Sequence, residues 1–337
     1  MKLVKIDSLA PGDKLAMPVN TSSGKVILNT GCTLTENYIH KLKQLGMRLL
    51  YIHDDRFEDI EVTEALDIKV RNTITQGIQY TYEGLQKGKS VDESLIKKIA
   101  KDIVDYVRDL KDKSASILSV STNDEYIVGH SINVALLTAF VGNRMDFTIS
   151  QLCDLVTGAI IHDFGRENCK EEKPEHVQKG FDLMRKCREL DLHSAIVCYE
   201  HHENYDGSGY PRKIKGSSIS LFTSIIRVAD LYDNILHGYE NNNVPLMPHQ
   251  AYECILALSG SVVDPKIVEI FRDTIVFYPN GCPVLLNNDL EGIVVRQNTG
   301  SPQRPVVRTY NNSDITGDID LLKNLTMFVK DVLVIQS

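Results

Sequence analysis

Between residues 126 and 275 the chain repeats one pattern: an apolar stretch at helical spacing, then a short polar break. Residues 126–141 are mostly apolar, and 149–162 form the next periodic stretch, stopped by Phe164-Gly165. The same pattern predicts helices over 177–187, 190–202, 217–236, 249–259 and 264–275, with a polar, Asn-rich loop from 238 to 248. Residues 59–112 also read as helical. Ser90-Val91-Asp92-Glu93 has the form of a capping box, with Glu93 reaching back to Ser90. Leu95, Ile99, Ile103, Val107 and Leu110 then line one face, opposite Lys97, Lys98, Lys101, Asp105 and Arg108. That helix pair predicts a linker, or a seam for a homodimer.

The two ends differ from this middle. In residues 1–58, turns at Pro11-Gly12-Asp13 and Asn29-Thr30-Gly31 flank a strand over 24–28. Thr35 caps a helix carrying Ile39, Leu42 and Leu45, Gly46 stops it, and 49–52 reads as a strand. In residues 276–337 the runs 284–286, 292–295 and 305–307 are β-type between turn residues. The expected organisation is a small α/β module over 1–58, a helical linker over 59–112, a helical domain over 113–275 and a small β module over 276–337 packed on the helices. The fold class is mainly α.

Composition narrows the partners. A net charge of −8 without a Lys/Arg run argues against a nucleic-acid polymer. No apolar run reaches the ~20 residues of a membrane span, and the N-terminus lacks a signal-peptide core, so the expected location is cytoplasmic. Seven scattered cysteines without a Cys-x-x-Cys pair read as reduced thiols, with Cys153, Cys198 and Cys254 placed in the core. His40, His53 and His193 read as surface residues.

The chemistry lies where polar residues interrupt apolar helices: His130 in one segment, His162-Asp163 at the end of another, Asp230 in a third. A buried charge is strongly unfavourable unless paired or metal-bound. Each has an ordinary reading alone, such as a satisfied core histidine or an Arg227–Asp230 ion pair. Together they are less ordinary, because six of the ten histidines fall between 130 and 202. Between them lies the block His201-His202-Glu203-Asn204-Tyr205-Asp206-Gly207-Ser208-Gly209-Tyr210-Pro211. Imidazoles with carboxylates are a usual ligand set for catalytic divalent metals. A carboxylate can bridge two ions, and bridged pairs about 3.5–4 Å apart cleave phosphodiesters. Glycines at 207 and 209 permit a tight turn and close backbone approach. Glu203 and Asp206 are candidates for orienting the histidines, against the plainer reading of a solvated turn.

In this order, His162-Asp163 followed by the His-His-Glu-x-x-Asp-Gly-x-Gly-Tyr-Pro string resembles the HD-GYP family of HD phosphohydrolases, over about residues 114–275. The resemblance implies an HD-type helical bundle core and hydrolysis of cyclic di-GMP to linear pGpG, with GMP as a further product, by a hydroxide bridging two divalent ions. It implies His130, His162, Asp163 and Asp230 at the first ion, with Asp163 bridging to a second held by His176, His201 and His202. It favours iron or manganese, with zinc as the third candidate. It gives Arg166 a place at the scissile phosphate and lets Gly207, Gly209 and Tyr210 shape the substrate pocket. Small modules of the 1–58 type and short β tails of the 276–337 type accompany such domains.

The chain departs from the family at four places. His-Asp-Phe-Gly-Arg stands for His-Asp-Ile-Gly-Lys, so Arg166 replaces the lysine with a planar fork. His176 follows His162 by only 14 residues, which implies a more open pocket. Tyr126 stands where a glutamate would mark a third metal, with Glu125 beside it. The basic motif expected after Asp230 is replaced by His237-Gly238-Tyr239-Glu240 and the Asn-rich loop. Two other readings therefore stay open: a weak or inactive protein that binds a cyclic dinucleotide or a partner, and a phosphodiesterase for another cyclic dinucleotide.

Overall fold

The computed structural model describes the chain except for residues 22–25, 63–65, 111–125, 169–173, 239–243, 312–313 and 334–337. It divides into two compact units.

The first unit joins both ends of the chain, residues 1–65 and 276–337. Strand β1 (Lys2–Lys5) pairs antiparallel with β4 (Leu49–Ile52), and β2 (Val19–Asn20) with β3 (Val26–Leu28). Helix α1 (Glu36–Gln44) starts where Thr35 accepts from the Tyr38 amide, and ends before Gly46 at φ +80°. Leu15, Leu34, Leu42, Met47 and Leu50 close a core beneath these elements. The C-terminal strands, β5 (Pro283–Leu286), β6 (Glu291–Arg296), β7 (Val306–Asn311), β8 (Asp314–Asp320) and β9 (Val329–Val332), form one sheet in the order β8-β7-β6-β5-β9. Their partner is the N-terminal segment. Phe57 and Ile60 pack on Ile293, the Leu3 amide donates to Gly281 O at 2.8 Å, and Arg308 pairs with Asp59 at 2.7 Å. Residues 1–58 and 276–337, expected as two separate modules, belong to one unit. Strands β8 and β9 escape the sequence pattern because β8 is acidic and largely exposed, and β9 is only four residues long.

The second unit, residues 66–112 and 127–275, is helical. It contains α2 (Ile68–Gln86), α3 (Glu93–Asp109), α4 (Tyr126–Gly142), α5 (Ile149–Ile161), α6 (Glu175–Met184), α7 (Leu192–Glu200), α8 (Leu221–His237), α9 (Pro248–Ala257) and α10 (Pro265–Thr274). The apolar helices are those the sequence pattern places, with ends shifted by a few residues. Segment 59–112 is no free linker, since α2 and α3 belong to this unit. Ile96, Ile99, Ile103, Val104 and Val107 of α3 are buried, and α3 packs on α5, so the face read as a dimer seam is covered within the chain. The 112/113 boundary lies outside the described residues. Cys198 is buried as expected, but Cys153 and Cys254 are only partly buried, while Cys282 is buried just before β5.

The start of α3 also corrects the sequence reading. Its cap is Asp92, whose carboxylate accepts from the Leu95 amide at 3.0 Å. The Glu93 carboxylate turns away to accept from the amides of Arg188 and Glu189. A cap to alanine costs about 1 kcal/mol, so Asp92→Ala should destabilise by that order in chemical denaturation. Ser90→Ala should change little. Equal losses for the two variants would restore Ser90 as the cap.

Candidate metal centre

The site is built from five helices and two short turns of the helical unit. Helix α4 supplies His130, whose neighbours Ile132, Val134 and Ala135 are buried, so its face toward the core carries one imidazole in apolar company. Helix α5 ends at Ile161, and His162 is its C-terminal cap. Asp163 follows, and a 3₁₀ turn over Phe164–Asn168 carries Arg166. Phe164 is fully buried, edge-on to Tyr82 of α2 at 4.7 Å, and anchors this turn. A Cβ on Gly165 would lie 2.0 Å from His176 O and 2.5 Å from the Gly180 amide. Glycine here lets the first turns of α6 press against the His-Asp turn. That contact brings His176 into the site despite the short spacing.

All seven candidate ligands converge and are buried. They form two sets, His130-His162-Asp230 and Asp163-His176-His201-His202. Asp163 lies between them. Its Oδ2 is 3.9 Å from His130 Nε2 and 3.7 Å from His162 Nε2. Its Oδ1 is 3.3 Å from His201 Nε2 and 3.7 Å from His176 Nε2. In the first set, His130 Nε2 is 3.2 Å from Asp230 Oδ1 and 3.3 Å from His162 Nε2. In the second, His176 Nε2 and His201 Nε2 are 3.3 Å apart.

The hydrogen bonds on the far side of each ring decide what these nitrogens offer. His162 Nδ1 lies 2.7 Å from Ala159 O, and His201 Nδ1 lies 3.2 Å from Val197 O. A carbonyl only accepts, so each Nδ1 carries the proton and each Nε2 presents a lone pair. His130 Nδ1 faces Asp233 Oδ2 at 2.7 Å and is likewise the donor. The inward ends of these rings are therefore lone pairs facing carboxylate oxygens and one another. A buried set of acceptors needs a proton or a cation. Metal–nitrogen bonds of about 2.0–2.1 Å place adjacent ligand nitrogens roughly 3.0–3.4 Å apart, which the observed spacings match. His202 Nε2 and Asp163 Oδ1 are buried without a hydrogen-bond partner. The side chains present thus fit a pair of divalent ions.

Protonation follows the same logic. Burial and the neighbouring imidazoles push His176 down to about 4, and burial outweighs the carboxylates to bring His162 to about 4. His202 is also pushed well down by burial. Burial would raise the Asp163 carboxyl, but His162, His201 and Arg166 hold it well below the ordinary range. His130 is the exception. Burial lowers it, but Asp230 and Asp233 prevail and raise it to about 10. Without a cation, His130 is where the neutralising proton sits.

Several residues outside the expected set complete the site. Asp233 orients His130 and accepts from Asn133 Nδ2 at 2.9 Å. Asn234 Nδ2 donates to Asp230 Oδ1 at 2.7 Å, and Arg227 Nη1 reaches Asp230 Oδ2 at 3.2 Å. The sequence did carry a signal. Positions 227, 230, 233, 234 and 237 form a polar stripe at helical spacing on an otherwise apolar α8, and Asn133 lies one turn after His130. The roles expected of Glu203 and Asp206 are corrected. Glu203 Oε1 accepts from the amides of Arg212 and Lys213, and Asp206 Oδ1 accepts from the Ser208 amide at 2.8 Å. Asp206 holds the loop through this bond, and Glu203 holds it through Oε1, while Glu203 Oε2 is buried without a hydrogen-bond partner. Gly207 has φ +84°, and a Cβ on Gly209 would lie 2.4 Å from His202 O, so both serve the turn's geometry. Tyr210 stacks on His202 with ring centroids 4.8 Å apart. Arg166 Nε is 2.6 Å from Asp163 Oδ2. His193 is exposed beside Asp191, and His40 is exposed. His53 is exposed too, though Asp55 and Glu58 accompany it. Glu125, residues 239–243 and the side chain of Tyr126 lie outside the described residues.

Among the described residues, no helix is long and apolar enough to cross a membrane.

The chain is similar to several known proteins. An HD-domain family model matches residues 169–267, which include His176, His201, His202 and Asp230. A cyclic di-GMP phosphodiesterase of Pseudomonas aeruginosa is 24% identical over 248 residues, 68% of this chain and 58% of that protein. A cyclic di-GMP phosphodiesterase of Thermotoga maritima is 25% identical over 228 residues, 62% of this chain and 61% of that protein. The chain thus spans about three fifths of the length of these two relatives. A 3'3'-cGAMP-specific phosphodiesterase of Vibrio cholerae is 30% identical over 121 residues, 35% of this chain and 23% of that protein. An HDG"Y"P protein from Bdellovibrio bacteriovorus shares the fold, with a TM-score of 0.50 and 14% identity over 80% of this chain and 98% of that one.

Two predictions follow from the second ring of contacts. Carboxylates that orient a metal-binding histidine typically contribute 10–100-fold to metal affinity. Asp233→Asn should weaken metal retention by that order in competition with a chelator, with the helical content unchanged. Unaltered retention would remove Asp233 from the site. Separately, the folded value of His130 lies above its ordinary 6.5. Its contribution to stability is full below that ordinary value and is lost as pH rises through about 10. Chelator-stripped protein should lose stability between pH 7 and 10, and His130→Asn should show a much flatter profile. Identical profiles would contradict a protonated His130.

The sequence, the site and the shared architecture meet at one conclusion: residues 169–267 match an HD-domain model and carry the Gly-Tyr-Pro string, on a fold shared with an HDG"Y"P protein.

Proposed function

We propose that the protein is a metal-dependent phosphodiesterase that hydrolyses cyclic di-GMP to linear pGpG. One observation carries this reading: four buried histidines, two from each set, face the two oxygens of a single buried carboxylate, Asp163, with Asp230 completing the first set and His202 the second. In it, His130, His162 and Asp230 hold one divalent ion, and His176, His201 and His202 hold a second, with Asp163 shared. Nitrogen and oxygen donors without thiolate suit iron or manganese, and zinc as a third candidate. Bound ions of this kind lower the pKa of water and take up negative charge developing on a phosphoryl group.

The chain's own residues do the rest. The Asp163 carboxylate stays ionised at any physiological pH, so it can serve both sets at once. Arg166 sits at the outer edge of Asp163, 29% exposed, where a guanidinium can take a phosphate oxygen. Tyr210, flat against His202, gives the pocket an aromatic wall, and the Gly207–Gly209 turn fixes where that wall stands. Hydrolysis adds water across one P–O3' bond, leaving a 5'-phosphate and a free 3'-hydroxyl. The relatives named as cyclic di-GMP phosphodiesterases support the choice of substrate. The relative named for 3'3'-cGAMP supports a second reading, in which the same chemistry acts on another cyclic dinucleotide.

Purified protein supplied with manganese or reduced iron should convert cyclic di-GMP to pGpG, followed by chromatography. Asp163→Ala should reduce the rate by at least about a hundredfold while remaining folded, since it removes a ligand from both sets. A metal-loaded protein that leaves every cyclic dinucleotide intact would point instead to a binding role. Preferential turnover of 3'3'-cGAMP would select the second substrate.

A further inference from the structure

The sequence lacks the basic motif expected after Asp230, yet the site does not lack positive charge. Arg227 lies on α8 one turn before Asp230, and its Nη1 is 3.2 Å from Asp230 Oδ2. The other oxygen of that carboxylate faces His130 and His162. The guanidinium therefore sits on the side of Asp230 away from these histidines, while Arg166 meets Asp163 at Oδ2, the oxygen that also faces His130 and His162. Its side chain is 11% exposed, and its Nε is buried without a hydrogen-bond partner. Nη2 reaches Asn204 Oδ1 at a long 3.4 Å. A guanidinium has five N–H donors in a rigid fork, so this one is incompletely satisfied. The Tyr210 hydroxyl is also buried without a partner, and both guanidiniums act electrostatically on it. Donors with unmet demand beside a dense carboxylate–imidazole centre favour a bound anion.

We propose that Arg227 is a phosphate-binding residue, which together with Arg166 holds the scissile phosphate. This assignment rests on the phosphodiesterase reading for its substrate, but it can be tested without turnover. A guanidinium that keeps one bond to Asp230 can turn its Nε–H edge to a phosphate oxygen, so ligand binding completes its hydrogen bonding. Arg227 then supplies from within α8 the charge that the motif following α8 does not.

The competing account is that Arg227 only neutralises Asp230 and holds Asn204. The experiment compares wild type, Arg227→Met and Arg227→Lys, each loaded with manganese and checked for metal content and folding. Binding of inorganic phosphate is measured by calorimetry, and turnover is measured on cyclic di-GMP and on bis(p-nitrophenyl) phosphate, a diester with a single phosphate. The proposal expects full metal content in Arg227→Met, a loss of roughly ten- to a hundredfold in phosphate affinity, and a similar loss in kcat/KM on both diesters. Arg227→Lys should recover part of each. Loss of metal from Arg227→Met would show action through Asp230 and overturn the proposal, as would unchanged phosphate affinity with metal retained. If wild type binds phosphate but cleaves neither diester, the phosphodiesterase reading fails while the Arg227 assignment is still decided by the phosphate titration.

Discussion

The helical unit depends on a buried carboxylate, Asp163, that cannot be satisfied by hydrogen bonding alone. It is held ionised amid imidazoles whose inward nitrogens are themselves acceptors. Burying such charge without a partner would cost several kcal/mol. The surroundings are arranged to retain it. Gly165 lets α6 approach the His-Asp turn, Phe164 anchors that turn against Tyr82, and α8 brings Asp230 with its own supports. Local glycine and aromatic choices that look minor in isolation are what make the convergence geometrically possible.

Layers of support differ in strength around the centre. His130 is fixed by Asp233 at 2.7 Å, Asp233 accepts from Asn133 at 2.9 Å, and His237 Nδ1 donates to the Asp233 carbonyl at 2.8 Å, so the α4–α8 side is tied by short bonds. The opposite side is looser. His202 is held by stacking on Tyr210, and its inner nitrogen lacks a partner. An asymmetric centre of this kind pairs one firmly ordered ligand set with one that a bound ion must complete. The second set also lies against the Gly-Ser-Gly-Tyr-Pro turn, where a substrate wall is expected.

Much of this was legible in the sequence, because charge inside apolar helices is a strong signal. His130, His162, Asp163 and Asp230 stood out for that reason, and the structure brings them together with His176, His201 and His202. What the sequence concealed follows from the range of the interactions. The Asp233–His130 bond joins residues 103 apart in the chain, and no local pattern reports such a pairing. Glu203 was misjudged because adjacency to His202 says nothing of direction: its carboxylate turns to the Arg212 and Lys213 amides. Glu93 likewise left its own helix end for the α6–α7 connection, and the cap passed to Asp92. The union of the two chain ends was equally hidden, since it is made by contacts such as Phe57 with Ile293 and Asp59 with Arg308.

The central claim is that Asp163 joins two cation sites. Elemental analysis of protein reconstituted with manganese and freed of excess ion tests it most directly. The account predicts two ions per chain in the wild type and a clear loss of both in Asp163→Ala. A single ion per chain that survives the substitution, or none in the wild type, would contradict it.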